Sequence, residues 1–131
     1  MNNGRKKLSD AELEVMLELW ELDAPATSTR LLELLDGKRS WRLATLQTVL
    51  SRLEEKGYVR CDRSSRANLY LAAVDEKSYK EQASLSFLQK LHRNSLSGLI
   101  ASLYDGGAID ENDLEDLRRF IEEAEKREGK A

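Results

Sequence analysis

Ala44, Thr45, Thr48, Ser51 and Arg52 are small or hydroxylated residues with one arginine, and their spacing places them on one side of a helix. No carboxylate interrupts the run from Ser40 until Glu54. Such a face approaches a polyanion without repulsion and enters a groove without steric conflict. Threonine hydrogen-bonds phosphate or touches a thymine methyl, and arginine pairs with phosphate or guanine. The chemistry on offer is non-covalent recognition of double-stranded DNA. Arg42 at the head of the run, and Arg63 and Arg66 beyond it, extend the same basic surface.

The element that must carry these residues is a helix over 43–56. Leu43, Leu46, Leu50 and Leu53, with Val49 beside them, give it an apolar face at spacings of three and four. Lys56 followed by Gly57 is a helix stop. Tyr58 to Arg63 and Asn68 to Ala72 then read as two short strands joined by the turn Ser64-Ser65-Arg66. Helix, strand, basic turn and strand form the winged variant of helix-turn-helix. From Lys38 to Arg66 there are eight basic residues against three acids, a local +5 in a chain whose net charge is −3.

The flanking elements complete that order. Ser9 and Glu12 make a capping box for a first helix, with Leu13, Met16, Leu17 and Trp20 on its apolar side. Ala24-Pro25 ends it. Thr27 or Ser28 caps a second helix, which runs through Leu31, Leu32, Leu34 and Leu35 to Asp36-Gly37. Beyond the second strand, a stripe from Tyr79 through Phe87, Leu88, Leu91, Leu96, Leu99 and Ile100 to Leu103 reads as one long helix with a weak point at Asn94, Ser95 and Gly98. Asp105-Gly106-Gly107 breaks it, and Asp110 caps a last helix carrying Leu114, Leu117, Phe120 and Ile121. Two helices without a sheet cannot cover both apolar faces at this size, so Phe87, Leu88, Leu91, Leu96, Leu99, Ile100, Leu103, Leu114, Leu117 and Ile121 are expected to meet a second copy. The alternative is that both helices fold back on the winged domain. The expected architecture is mainly α: a winged helix-turn-helix domain with a small β-hairpin wing over 1–74, then a two-helix dimerisation domain over 75–131.

Several function classes fall away. No apolar run is long enough for a membrane span, and the basic start Arg5-Lys6-Lys7 has no apolar core behind it, so a cytoplasmic protein is expected. Arg5, Lys6 and Lys7 either reach the minor groove or form a polar tail. Cys61 is the single cysteine and His92 the single histidine, which leaves no intramolecular disulfide and no metal-ligand set. Cys61 reads as a small core residue and His92 as a surface or interface residue. Trp41 either packs or stacks on a base. No catalytic constellation and no cofactor motif is present, so an enzyme is not expected.

The opening Leu8 to Met16 with Leu19-Trp20, and Trp41 with Thr45 to Leu53 and Lys56-Gly57, resemble the penicillinase repressor family (BlaI/MecI/CopY type). Arg66 with Tyr70, Val74-Asp75-Glu76 with Tyr79, Phe87-Leu88 and the acidic last helix fit the same pattern. The resemblance covers nearly the whole chain. It implies a homodimeric transcriptional repressor on a pseudo-palindromic operator, often with TACA/TGTA half-sites. It places Thr45, Thr48 and Arg52 at recognition-helix contact positions, and Arg66 at the wing arginine. Antibiotic-responsive members are cut by a sensor protease at an Asn-Phe bond, and Ser102-Leu103 stands at that place here. The copper-responsive branch ends in Cys-x-Cys motifs that this chain lacks. Ser65 and Asn68 also depart from the usual wing. Two rival readings stay open: a winged-helix module that binds protein instead of DNA, and a regulator switched by a ligand.

Overall fold

The computed structural model describes residues 7–37 and 40–129. Three helices come first: α1 (Asp10–Leu22), α2 (Ser28–Leu35) and α3 (Leu43–Lys56). Two strands follow, β1 (Val59–Asp62) and β2 (Leu69–Ala72), and then α4 (Glu76–His92), α5 (Leu96–Asp105) and α6 (Glu111–Gly129). The architecture is mainly α with a hairpin wing. Among the described residues no helix is long and apolar enough to cross a membrane.

Local chemistry sets the helix ends. Ser9 Oγ accepts the Glu12 N–H at 3.2 Å, and Glu12 Oε1 accepts the Ser9 N–H at 2.8 Å, closing the capping box. Thr27, the first of the two expected caps, accepts the Arg30 N–H at 3.1 Å. Gly57 closes α3 at φ 86°, a left-handed conformation that a Cβ disfavours, and the Tyr58 N–H then reaches the Leu53 carbonyl at 2.9 Å.

The core of the first unit fills the space between α1, α2 and α3. Val15, Met16, Leu31, Leu35, Leu46, Leu50 and Leu53 are fully buried. Each such side chain contributes about 1.5–3 kcal/mol relative to exposure. Leu43 is the exception on the apolar face of α3: at the first helical position it remains 42% exposed.

The wing is antiparallel, with Val59 opposite Ala72 and Cys61 opposite Tyr70. A third segment joins it. The Ala26 N–H donates to the Tyr70 carbonyl at 3.0 Å, and the Tyr70 N–H donates to the Ala26 carbonyl at 2.8 Å. The linker between α1 and α2 is thereby stitched to the wing. A one-residue bridge leaves no alternation in the sequence to mark it.

The start of α4 is built into this unit, which extends to Gln82. Trp20 Nε1 donates to the Val74 carbonyl at 2.8 Å, and Tyr79 lies 5.5 Å from the Trp20 ring and 5.9 Å from that of Tyr58. Burial pushes the Tyr79 hydroxyl above its ordinary range.

The second unit begins at Ala83. The stripe from Tyr79 to Leu103 is not one helix but two, so the region beyond the wing holds three helices where two were expected. Arg93 (φ 49°) and Asn94 (φ 69°) take left-handed conformations, and the Asn94 N–H turns back to the Leu88 carbonyl at 3.1 Å. Ser95 Oγ then accepts the Gly98 N–H at 3.0 Å and starts α5. Asparagine tolerates the left-handed region and serine caps helices, so the weak point is a full stop and restart. At the head of α6 the Asp113 N–H donates to Asp110 Oδ1 at 2.9 Å and the Asp110 N–H donates to Asp113 Oδ2 at 3.0 Å, a reciprocal cap. None of α4, α5 and α6 contains a fully buried residue.

Candidate nucleic-acid interface

The buried stripe of α3 fixes which side faces outward. With Leu46, Val49, Leu50 and Leu53 inside, Ala44, Thr45, Thr48, Ser51 and Arg52 are all exposed. Gln47 is exposed with them. Its place, three residues after Ala44 and four before Ser51, is the signal that would have added it to the face. A glutamine there has the bidentate donor and acceptor that match adenine. Thr48 Oγ1 donates to the Ala44 carbonyl at 3.1 Å, so its hydrogen is committed to the helix backbone. Arg42 occupies the N-cap of α3 without a side-chain cap bond.

Trp41 takes the packing alternative. Its indole Nε1 donates to Glu14 Oε1 at 3.3 Å, and the half-buried ring packs against the core. It fastens the entrance of α3 to α1.

The wing loop spans 63–68 and is exposed throughout, with Arg66 in its middle. Asp62 Oδ1 accepts both the Ser64 N–H (2.9 Å) and the Ser64 hydroxyl (2.6 Å), which shapes the start of the loop and holds the Asp62 carboxyl below its ordinary range. Arg63 is placed differently from the other wing cations. Its guanidinium forms two parallel bonds to Glu54, at 3.0 and 3.1 Å. The pairing lowers the Glu54 carboxyl and raises the Arg63 guanidinium relative to their ordinary values. Arg60, on the exposed side of β1, adds a cation that the expected contact set did not include. Cys61 is half-buried opposite Tyr70. Burial pushes the Tyr70 hydroxyl up, and Cys61 adds to that rise.

Of the expected interface between copies, Leu88, Leu99, Ile100 and Leu117 are half-buried, while Phe87, Leu91, Leu96, Leu103, Leu114 and Ile121 are exposed, and Phe120 with them. His92 lies against the Phe87 ring at 5.9 Å. Ser102 and Leu103 are exposed in the body of α5. Arg5, Lys6, Lys38 and Arg39 lie outside the described residues. Among the described residues no cluster of three metal-ligating side chains occurs.

A model of the penicillinase repressor family matches residues 8–123. The chain belongs to that family. The match takes in the winged helix, α4, α5 and most of α6. The penicillinase repressor of Bacillus licheniformis is 30% identical over 92% of this chain and 94% of its own length. The methicillin resistance regulatory protein MecI of Mammaliicoccus sciuri is 25% identical over 92% of this chain and 98% of its own. A solved structure of the DNA-binding domain of the repressor BlaI is 33% identical, covers 56% of this chain and 88% of its own, and superposes with a TM-score of 0.49. The family is one of repressors and not of enzymes.

Proposed function

We propose that this penicillinase repressor family member acts as a homodimer that represses transcription by occupying a pseudo-palindromic operator. The observation that carries the reading is the outward face of α3, which presents Ala44, Thr45, Gln47, Thr48, Ser51 and Arg52 without a carboxylate beside a basic wing. In this reading α3 enters the major groove, Thr45 and Thr48 reach base edges, and Arg42, Arg52 and Arg66 hold phosphates. Two-fold symmetry then places half-sites about 34–36 Å apart. The apolar residues left uncovered on α4, α5 and α6 support the dimer, because a lone chain leaves Phe87, Leu91, Leu96, Phe120 and Ile121 in water.

Relief by a sensor protease is the second part of the proposal, with Ser102-Leu103 as the bond cut. The bond lies within a regular helix, so cleavage requires local opening of α5. Fragments ending near Ser102 in induced cells support this route. Induction with the chain intact replaces it with a ligand-driven switch.

The deciding experiment is titration of a fluorescent TACA/TGTA palindrome beside a scrambled duplex at two salt concentrations. Two chains are expected per palindrome, with the scrambled duplex at least about a hundredfold weaker. Dimerisation without DNA binding at low salt, on this duplex or on a random pool, would make the chain a protein-interaction module.

A further inference from the structure

Arg42, Arg52, Arg60 and Arg66 form no ion pair with another described residue, whereas Arg63 is held by both oxygens of Glu54 at 3.0 and 3.1 Å. Glu54 is the first carboxylate on α3, in its last turn. Arg63 is the first residue after β1, and its neighbour Asp62 shapes the loop through Ser64. The pair thus joins the recognition helix to the root of the wing. Resting on the DNA-binding reading above, we infer that Glu54 is a positioning residue for recognition: it withdraws Arg63 from phosphate contact and uses it as a strut that sets the wing against α3.

Both side chains are substantially exposed, Arg63 at 58% and Glu54 at 35%. An exposed pair adds little to fold stability. A two-bond guanidinium–carboxylate contact nevertheless fixes direction as well as distance, which a single lysine contact does not. The consequence for binding is geometric. With the strut in place, Arg60 and Arg66 meet the backbone at a fixed offset from Thr45 and Thr48. Without it, the helix and the wing no longer engage one site together. Removing a carboxylate from a surface that faces a polyanion ordinarily strengthens binding. The strut gives the opposite sign, and this makes the role testable.

The test takes the duplex that the wild-type chain selects from a random pool, together with a scrambled control, at three salt concentrations. It compares wild type, Glu54→Gln, Arg63→Gln and the double exchange Glu54→Arg/Arg63→Glu, which keeps net charge constant. Each single substitution is expected to weaken the selected duplex about five- to twentyfold while the thermal midpoint stays near that of wild type. The exchange is expected to recover to within about threefold, and Arg63→Gln to keep the wild-type salt slope. Amide exchange over residues 64–68 in the DNA-free protein should quicken in both single variants and return in the exchange. Tighter and more salt-dependent binding by Glu54→Gln would overturn the strut and make Arg63 a phosphate ligand in competition. Unchanged binding by Glu54→Gln would overturn it too, leaving the DNA reading intact. Failure of the wild type to select any sequence would remove that reading and the role with it.

Discussion

Lys56 Nζ, at the end of α3, lies 2.6 Å from Glu12 Oε1 in the first turn of α1 and 3.1 Å from the Lys7 carbonyl. The same Glu12 oxygen accepts the Ser9 N–H, so one buried carboxylate closes the capping box and ties the two helices together. Burial alone would raise the Glu12 carboxyl. The bonds from Lys56 and Ser9 outweigh burial, and its folded-state value lies below the ordinary 4.5.

The sign of the pH dependence follows. A carboxyl lowered in the folded state adds stability above its unfolded value, and that stability is lost as pH falls through the folded value. Glu12→Gln is expected to cost about 1–3 kcal/mol at neutral pH, because it leaves Lys56 without its charged partner and weakens the cap. The gap between wild type and variant should then close on acidification from pH 5 downward. Urea unfolding at pH 7, 5 and 3 measures it, and a constant gap would mean that Glu12 acts through packing alone.

Leu50 and Leu43 share one apolar face in sequence and differ in burial, at 0% and 42% exposure. Leu50→Ala should cost about 2–5 kcal/mol through lost burial and the cavity left behind. Leu43→Ala should cost under about 1 kcal/mol. Equal losses in urea unfolding would show that Leu43 is covered in solution.

That pair also shows how far the sequence could be read. The three-and-four spacing of leucines, the Ser9–Glu12 box, Thr27 and Lys56-Gly57 are local signals, and each element they predict is present. Arg63 was legible as a basic wing residue, but its pairing with Glu54 was not, because the two meet only when β1 runs back beside α3. The Ala26–Tyr70 bridge likewise depends on a contact distant in sequence. At Arg93-Asn94 the difficulty was local instead: Asn94 and Ser95 read as a weak point within one long helix, whereas two left-handed residues end one helix there and let Ser95 start another.

Thr48 donates its hydroxyl hydrogen to the Ala44 carbonyl, which leaves its methyl as the group expected to meet the base, in contact with a thymine methyl. Thr48→Val should therefore retain discrimination to within about threefold, whereas Thr48→Ser should lose roughly 1 kcal/mol or more of it. Anisotropy titrations with the selected and scrambled duplexes measure this. The reverse order, with Ser retained and Val impaired, would assign the contact to the hydroxyl oxygen.

Arg52 is exposed on α3 without an ion-pair partner among the described residues. As a phosphate ligand it should weaken selected and scrambled duplexes alike when replaced by alanine, and reduce the salt slope by about one per half-site. A loss confined to the selected duplex would instead make Arg52 a reader of guanine.

The exposed apolar residues after the wing make the last prediction one of concentration. Leu114, Phe120 and Ile121 are exposed on α6, and Leu91 and Leu96 on the two helices before it. If a second copy covers them, the folded state of this region is linked to dimerisation, and its melting temperature rises with protein concentration. Phe120→Glu and Ile121→Glu each place a charge where desolvation would be required. Each should raise the dimer dissociation constant at least about a hundredfold, read by sedimentation equilibrium. The winged domain, with its own core, should keep its fold. Operator binding should then split into two independent half-site events of lower affinity, because the linkage that turns the second contact into an intramolecular one is gone. A wild-type chain that is monomeric at micromolar concentration, with a melting temperature independent of concentration, would show that these faces are covered within one chain.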